Sequence, residues 1–270
     1  MTPIYNVQME EDCSRYLLRQ LRIGTVAKLA EVDLAFLAQS DQCVVVVFKR
    51  SEKMNSNAWQ KIKPGDYDLH MSHPLVAQTQ MLSRITKEQF DLLINRSKRS
   101  VAMLGITNGN GLEHVVPCRI EKIIGIDINK AFLDECRNRF VEIETRLDLY
   151  QLDLTVDISK TSEIIAGCDL IIANLLIKHI HLENFIKVIS GLPNKRQIVS
   201  CTVQKNPDGS AVSRSGYEHV FGEIAEQREE EKEELIISAM TEYDFFFINH
   251  RHIYDLPNGK QFVRLDFISK

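Results

Sequence analysis

Apolar residues recur along this chain in two rhythms, and the rhythm changes near residue 100. In residues 10–38, leucines and other apolar residues recur at helical spacing, which predicts helices with a break at Gly24. The run QCVVVVF (42–48) predicts a buried strand, and the polar, turn-rich residues 51–68 predict a loop. Helical spacing returns over residues 73–95. The first part of the chain is therefore predicted to be mainly helical.

After residue 100, short apolar runs alternate with segments of helical periodicity. The runs VAMLGI, KIIGIDI, LDLYQLDL, DLIIANLL and RQIVSCTV predict successive strands. Most of them are followed by a predicted helix, such as LEHVV or KAFLDECRNRFVEI. This alternation is typical of an α/β fold with a parallel sheet that helices cover on both faces.

The end of the chain has a different pattern. Two apolar-rich runs, EYDFFFINHRHIYDL and KQFVRLDFI, flank the pair Asn258-Gly259, which is a strong signal for a β-hairpin. The sheet is therefore predicted to finish with an antiparallel pair. The segment before it, EIAEQREEEKEELIISAM, predicts a charged helix whose apolar side contains Leu235, Ile236 and Met240.

Composition limits the possible classes of protein. The chain has 270 residues, of which 44% are hydrophobic, and this is enough for a sizeable core. The net charge of -4 gives no basic field that would attract nucleic acid or an anionic membrane. The six cysteines are scattered, so no metal site is predicted. The N-terminus lacks a signal pattern and the apolar runs are too short to span a bilayer, which together predict a cytoplasmic protein.

The stretch VAMLGITNGNGLEHV contains the chemically most informative pattern. Gly105, Gly109 and Gly111 fall where a predicted parallel strand ends, and open α/β sheets bind ligands at that edge. Asp127 closes the next predicted strand, where a carboxylate can accept two hydrogen bonds from ribose hydroxyls. Asp153 closes the following one, where it can meet an adenine edge. Three successive strand ends thus predict a nucleoside site.

At these residues the chain resembles the class I S-adenosylmethionine-dependent methyltransferases. VAMLGITNGNG resembles the glycine-rich first motif of that family, IIGIDIN its second, LDLT its adenine segment, CDLIIANLLIKHI its fourth motif and DLPNGKQFVRLDF its closing hairpin. The resemblance implies a Rossmann-like domain over residues 71–270, with a seven-stranded sheet in the order 3-2-1-4-5-7-6 and strand 7 antiparallel. Residues 1–70 are predicted to form a mainly helical cap, which closes the acceptor pocket or forms a homodimer.

The resemblance also implies the cofactor and the residues that bind it. S-adenosylmethionine is the expected cofactor, S-adenosylhomocysteine the product, and a small molecule the expected acceptor of the methyl group. A protein or tRNA acceptor stays open, although the acidic balance argues against large nucleic acids. The residues carried over as cofactor-binding are Gly105, Thr107, Gly109, Asp127, Ile128, Asp153, Leu154 and Asn174.

Two positions depart from the family pattern. Met103 replaces the usual acidic residue two positions before the first glycine, and Thr107 replaces the usual second glycine. These departures motivate an alternative function, a weak or inactive relative that binds the cofactor or a partner without turnover. A second alternative is a nicotinamide-dependent short-chain oxidoreductase, because the glycines also spell G-x-x-x-G-x-G. That family needs a Tyr-x-x-x-Lys pair, which the chain lacks.

No catalytic motif is decisive, but several residues are candidates. Asn174 is interpreted as a ligand contact or as a helix cap. His179 is a candidate base or a packing residue, and its neighbour His181 points to another face of the same predicted helix. Tyr67 and His73 belong to the segment DYDLHMSHP, which also contains His70. That segment resembles the lid that folds over the cofactor in this family, and an ordinary loop is the competing interpretation.

Overall fold

The structure is a computed structural model, and it divides the chain into two compact units, Met1–Asn55 and Ser56–Lys270. Residues 56–70, which the sequence analysis assigned to the N-terminal extension, are part of the second unit. The structure describes residues 32–40, 43–50, 57–192, 196–206, 212–225, 232–248 and 251–269.

The described part of the first unit is a β-hairpin. Strand β1 (Val32–Ser40) pairs antiparallel with β2 (Cys43–Arg50). The strand prediction for residues 42–48 is confirmed, whereas the helix prediction is wrong for residues 32–38. Within VDLAFLA only Asp33 is polar, so this apolar run is compatible with a strand as well as with a helix, and pairing with a valine-rich strand decides between them. Residues 10–31 of the predicted helical segment lie outside the described residues.

The second unit contains one mixed sheet of eight strands. Its strands β3 to β7 are parallel and carry the order β5-β4-β3-β6-β7, after which β10 pairs antiparallel with β7. β8 and β9 both pair antiparallel with β10. The bounds are β3 Ser100–Leu104, β4 Lys122–Asp127, β5 Leu147–Gln151, β6 Leu170–Asn174, β7 Ile198–Lys205, β8 Phe245–Phe247, β9 His252–Asp255 and β10 Gln261–Ser269.

The predicted order 3-2-1-4-5-7-6 is confirmed, with β10 in the place of the antiparallel strand 7. The segment before the Asn258-Gly259 turn was predicted as a single strand. It forms two strands, β8 and β9, which together take the place of strand 6 in the predicted order. The hairpin itself is confirmed, because Gln261 pairs with Asp255 across the turn. Gly259 has φ +80° there, a left-handed conformation that glycine adopts without a steric penalty.

Helices flank this sheet, and some of them also cover the carboxyl ends of its parallel strands. The α-helices are α1 Pro64–Met71, α2 Gln78–Asp91, α3 Lys130–Arg139, α4 Ile158–Ile165, α5 Ile177–Ile180, α6 Leu182–Ser190, α7 Gly222–Ala225 and α8 Glu233–Glu242. Short 3-10 helices span Ala58–Lys61, Leu112–His114, Val141–Arg146 and Glu218–Phe221. None of the helices in the described part of the chain is both long and apolar enough to span a membrane.

The predicted loop over residues 51–68 and the predicted helix over residues 73–95 need correction. The segment 51–68 was expected to be a loop, but it contains the 3-10 helix Ala58–Lys61 and the start of α1, where Pro64 occupies the first turn. Proline suits that position because its fixed φ is helical and its missing N–H has no partner there anyway. The helix expected over residues 73–95 is shorter, because α2 begins at Gln78. The charged helix near the end forms α7 and α8, and residues 226–231 between them lie outside the described residues.

Alternate residues of the strands enter two different cores. Ala102 and Leu104 of β3 belong to one apolar cluster, while Val101 and Met103 belong to another. Because successive side chains of a strand point to opposite faces, the sheet is buried on both sides. A third cluster, which includes Tyr67, joins α1 to the 3-10 helix Glu218–Phe221.

Candidate active site

A cavity lies at the carboxyl ends of β3, β4, β5 and β6. Its empty space is about 1340 Å³, counted out to solvent at the mouth. Residues at these strand ends form one side, which we call the strand-end wall. The lining residues that come from residues 57–59, α1, the start of α2 and residues 212–224 together form what we call the cover. Both sides belong to the second unit.

The strand-end wall begins with a sharp bend after β3. The backbone amides of Gly105 and Ile106 both donate to the carbonyl oxygen of Ile126, at 2.8 and 3.1 Å. Gly105 has φ +69°, and a Cβ at this position would come within 3.0 Å of the Leu176 side chain. The glycine therefore lets the chain turn back onto β4 while the bend stays open to the cavity.

Asp127 lies directly beside this bend. Its Oδ2 accepts a hydrogen bond from the Thr107 amide at 3.0 Å, and its Oδ1 accepts one from the Asn129 amide at 2.8 Å. The side chain lines the cavity although the residue is only 6% exposed. Burial raises the pKa of Asp127 to about 6, and the backbone hydrogen bonds oppose that rise. The structure thus brings together the two features on which the predicted nucleoside site depends.

The contact between Thr107 and the cofactor stays a prediction. The sequence analysis placed it among the cofactor-binding residues, but its backbone amide is used by Asp127. Its φ is +50°, a left-handed conformation that costs a non-glycine residue about 1 kcal/mol. Thr107 lines the cavity and holds the Asp127 carboxylate in place, so it acts on the site through Asp127.

Gly109 and Gly111 do not line the cavity. A Cβ on Gly109 would lie 2.7 Å from the Phe140 ring and 2.9 Å from Cys136 Sγ, and one on Gly111 would overlap Thr86. Both residues have positive φ. They therefore allow the bend to pack against α3 and α2, and the predicted contact between Gly109 and the cofactor is not supported by this geometry.

The part of the wall after β4 and β5 combines apolar surface with one carboxylate. Ile128, Leu152 and Leu154 line the cavity, and Asp153 lies between the two leucines. The Oδ1 of Asp153 accepts hydrogen bonds from the backbone amide and hydroxyl of Thr155, at 2.9 and 2.7 Å. This local turn fixes the carboxylate at the predicted strand end.

Asn174 also lines the cavity, but its amide is bound to protein groups. It forms a reciprocal pair of hydrogen bonds with Gln89, at 2.9 and 3.0 Å. Its Oδ1 also accepts from the Thr202 hydroxyl at 2.7 Å. Asn174 does not cap the following helix, for which no side-chain cap is found. The residue ties β6 to α2 and β7, and its contact with a ligand stays a prediction.

Tyr67 belongs to the cover and lines the cavity. Burial raises the pKa of its phenol to about 12, while hydrogen bonds with Thr107 and Asn110 oppose the rise. A phenol with this pKa stays protonated at neutral pH. Tyr67 is therefore suited to donate a hydrogen bond and unsuited to act as the base.

The structure separates the predicted histidines. His179 lines the cavity, and its ring lies 4.8 Å from the Trp59 ring in an edge-to-face arrangement. His73 does not line it. The backbone carbonyl of His73 closes the turn between α1 and α2 by accepting from the amides of Val76 and Ala77. His181 occupies the N-cap position before α6, with φ +64°, and its side chain also lies outside the cavity lining.

Comparison with solved structures identifies the fold. A carbon methyltransferase, CurJ, matches with a TM-score of 0.54 at 15% identity over 77% of this chain and 59% of its own. Magnesium protoporphyrin IX methyltransferase from Synechocystis PCC 6803, with bound S-adenosylhomocysteine, matches with a TM-score of 0.52 at 14% identity over 76% of this chain and 93% of its own. This chain has the class I methyltransferase fold. No family model matches the chain, and no curated protein does.

The residues of this methyltransferase fold fit an adenosine-bearing cofactor. The carboxylate of Asp127 faces the cavity beside the bend, where it can accept from two ribose hydroxyls. Apolar side chains of Ile128, Leu152 and Leu154 offer flat contact surface for an adenine ring. Met103, which stands where the resembling sequence motif has an acidic residue, also lines the cavity.

The sequence analysis missed most of the cover. His70 had been named only as a member of its segment, and yet it is 3% exposed and lines the cavity. A signal existed for α1, because Tyr67, His70 and Met71 share one helical face. Residues 212–224 carried no such signal. The cover residues that the analysis missed are Gln78, Leu82, Val212, Ser213, Phe221 and Ile224.

Proposed function

We propose that this protein transfers the methyl group of S-adenosylmethionine to a small-molecule acceptor. The observation that carries the proposal is the position of the Asp127 carboxylate beside the Gly105 bend, inside a cavity at the carboxyl ends of the parallel strands. When bound, the cofactor supplies an electrophilic methyl group, which forms a bond to the acceptor atom while the carbon–sulfur bond breaks and its electron pair stays on sulfur. The protein must bind both molecules in line and exclude water.

The strand-end wall supplies the cofactor site. Asp127 accepts the ribose hydroxyls, and the apolar residues after β4 and β5 contact the adenine. Asp153, fixed by its turn with Thr155, accepts from the exocyclic amino group. The cover then leaves the methyl-bearing side of the cavity facing Tyr67, His70 and their apolar neighbours.

The solved neighbours support this assignment. Besides the two above, phosphoethanolamine N-methyltransferase 2 of Haemonchus contortus, solved with S-adenosylhomocysteine, matches with a TM-score of 0.50 at 11% identity over 82% of this chain and 58% of its own. These proteins act on different acceptors, so they support the cofactor and leave the acceptor to the residues of this chain. A small acceptor is supported by the cover, whose apolar side chains line part of the cavity.

Calorimetric titration tests the proposal. S-adenosylmethionine and S-adenosylhomocysteine should both bind, and NADH should give no heat. Asp127→Ala should weaken binding by about 1–3 kcal/mol for each ribose hydrogen bond that is lost. Asp134→Ala, on the half-exposed surface of α3, is the matched control and should bind as the wild type does. Absence of heat with both cofactor forms, or an unchanged affinity in Asp127→Ala, contradicts the proposal.

A second candidate function rests on Met103. Because Met103 lines the cavity where an acid is usual, cofactor binding without turnover is the competing function. Restoring the acid with Met103→Glu distinguishes weak binding from another kind of defect. An increase in S-adenosylhomocysteine affinity assigns the deficit to this position, and the wild type then needs a higher cofactor concentration to turn over.

A further inference from the structure

The part of the cavity beneath the cover is built from apolar and aromatic side chains. Phe221 lies at its centre, with its ring centroid 4.5 Å from that of His70 and 6.5 Å from that of Trp59. Met71 and Ile224 line the same region, and both are 7% exposed. Such a surface binds a molecule with an apolar, preferably aromatic, body.

Charge narrows the class of acceptor further. Among the described lining residues, the carboxylates are Asp127 and Asp153, and both lie on the strand-end wall. Lys178 of α5 also lines the cavity, whereas no carboxylate in the described part of the cover does. The cover contributes the Gln78 amide, which donates to Gln204 Oε1 at 2.8 Å. These features disfavour a cationic acceptor and fit an apolar molecule with a small polar group.

His70 is held in a defined orientation within this apolar region. Its Nδ1 lies 2.6 Å from Ser215 Oγ. Ser215 is itself fixed, because its Oγ accepts from the Tyr217 amide at 3.0 Å and its own amide donates to Glu218 Oε1 at 2.6 Å. Within the described residues, no hydrogen bond is made to the second ring nitrogen, Nε2. His70 therefore presents one tethered and one unused nitrogen in a cavity-lining ring.

We propose that the acceptor is a largely apolar hydroxyl compound of the phenol class, and that His70 removes its hydroxyl proton. This inference rests on the proposed function. His70 Nδ1–H donates to Ser215 Oγ, which leaves the Nε2 lone pair free to accept the proton. The O–H bond breaks and its electron pair stays on oxygen, which would then be the nucleophile for the methyl group that the bound cofactor would supply. Ser215 is a positioning residue, because it acts through the tautomer of His70.

The groups around His70 are consistent with a neutral ring in the free protein. Burial lowers the pKa of His70, and the charges of Lys260 and His73 lower it further, while the carboxylate of Glu218 opposes them. The imidazole is therefore unprotonated at neutral pH and ready to accept. The competing groups are less suited, since the Tyr67 phenol stays protonated and the Asn174 amide is bound to Gln89.

The test uses 4-nitrophenol as the probe, with the protein saturated in S-adenosylhomocysteine. Trp59 is the single tryptophan of the chain and lines the cavity, so its fluorescence reports binding. The phenolate of the probe absorbs visible light, so absorbance reports proton removal separately. Burial in an apolar region by itself lowers the phenolate fraction, so a rise above that of the free probe at the same pH, which we expect, requires a base in the cavity. His70→Gln should keep the fluorescence change and lose the absorbance change.

Two further variants and one spectrum make the test decisive. Ser215→Ala should reduce the absorbance change, and His252→Gln in β9, outside the cavity lining, should leave it as in the wild type. Nitrogen-15 NMR of the wild-type histidines should show the Nδ1–H tautomer for His70, which needs no variant to fold. An Nε2–H tautomer, no binding of 4-nitrophenol, or an unchanged phenolate signal in a folded His70→Gln overturns the inference. If S-adenosylhomocysteine binds in those cases, the proposed function stands; if it does not bind by calorimetry, the proposed function itself fails.

Discussion

The two sides of the cavity are built by different kinds of interaction. On the strand-end wall, Gly105, Asp127 and Asp153 each follow a parallel strand, and backbone hydrogen bonds fix their positions. In the cover, His70 and Phe221 come from segments far apart in the sequence and meet through packing and one hydrogen bond to Ser215. The wall is therefore specified by local sequence, and the cover by contacts across the fold.

This difference predicts different responses to substitution. The wall should be sensitive to backbone geometry and to the charge state of one carboxylate. The cover should tolerate backbone change better and affect the acceptor more than the cofactor. The following predictions test that contrast, beginning with the largest expected effect.

Gly111→Ala should destabilise the protein most. A Cβ there overlaps the Thr86 side chain, and φ +91° is unfavourable for alanine. Left-handed strain of about 1–2 kcal/mol and overpacking of about 1–3 kcal/mol predict a loss of about 2–5 kcal/mol in the free energy of unfolding. Gly259→Ala is the matched control, because its φ is +80° and nothing lies within 4 Å of the added Cβ. Denaturant unfolding that gives equal losses for both variants removes the packing role of Gly111.

Binding of S-adenosylhomocysteine should depend on pH through Asp127. Its pKa of about 6 in the free protein lies above the usual 3.8, so protonation competes with the ribose hydroxyls as the pH falls. Because the ligand binds the ionised form, affinity should decrease about tenfold from pH 7 to pH 5. Calorimetry at several pH values measures this, and Asp127→Asn should flatten the curve. A wild-type affinity that stays constant over this range contradicts the assigned role of the carboxylate.

Asp68→Ala tests the connection between cover and wall. Asp68 in α1 accepts from Asn108 Nδ2 at 2.9 Å in the bend and forms an ion pair with Arg139 of α3. Loss of these bonds should lower the free energy of unfolding by about 1 kcal/mol, because the ion pair is partly exposed to solvent. Asp66→Ala in the same helix is the control. A thermal melt that shows no difference between the two variants means that Asp68 does not hold the cover onto the bend.

Phe221→Ala should have the smallest effect on the cofactor. The ring packs on His70 and Trp59 beneath the cover, whereas the Asp127 carboxylate belongs to the strand-end wall. We expect S-adenosylhomocysteine affinity to change by less than about threefold, or about 0.6 kcal/mol. Binding of 4-nitrophenol should be weakened more than that. Equal losses for both ligands indicate that the cavity is not divided into a cofactor wall and an acceptor cover.

The sequence allowed much of the wall to be predicted and little of the cover. The position of Asp127 follows from strand periodicity, because parallel strands end at one edge of a sheet. The roles of Gly109 and Gly111 did not follow from the sequence. A glycine that makes room for a ligand and a glycine that makes room for a neighbouring side chain look identical in a sequence. In the cover, the partnership of His70 with Ser215 depends on a contact between residues 145 positions apart. No local pattern encodes such a contact.

The N-terminal unit shows the same limit. Val32, Leu34 and Phe36 alternate, and they also fit the helical spacing of the preceding leucines. Pairing with the valine-rich β2 produces a strand, as register Leu34 to Phe48 shows. Where two periodicities coincide, the neighbouring strand decides, and that information lies outside the segment.

Whether the Asp127 carboxylate binds the ribose is best tested by a crystal structure of the protein with S-adenosylhomocysteine. We expect both ribose hydroxyls within hydrogen-bond distance of that carboxylate, with the adenine against Ile128 and Leu154. A nucleoside bound elsewhere on the fold, or a ribose turned away from Asp127, contradicts it.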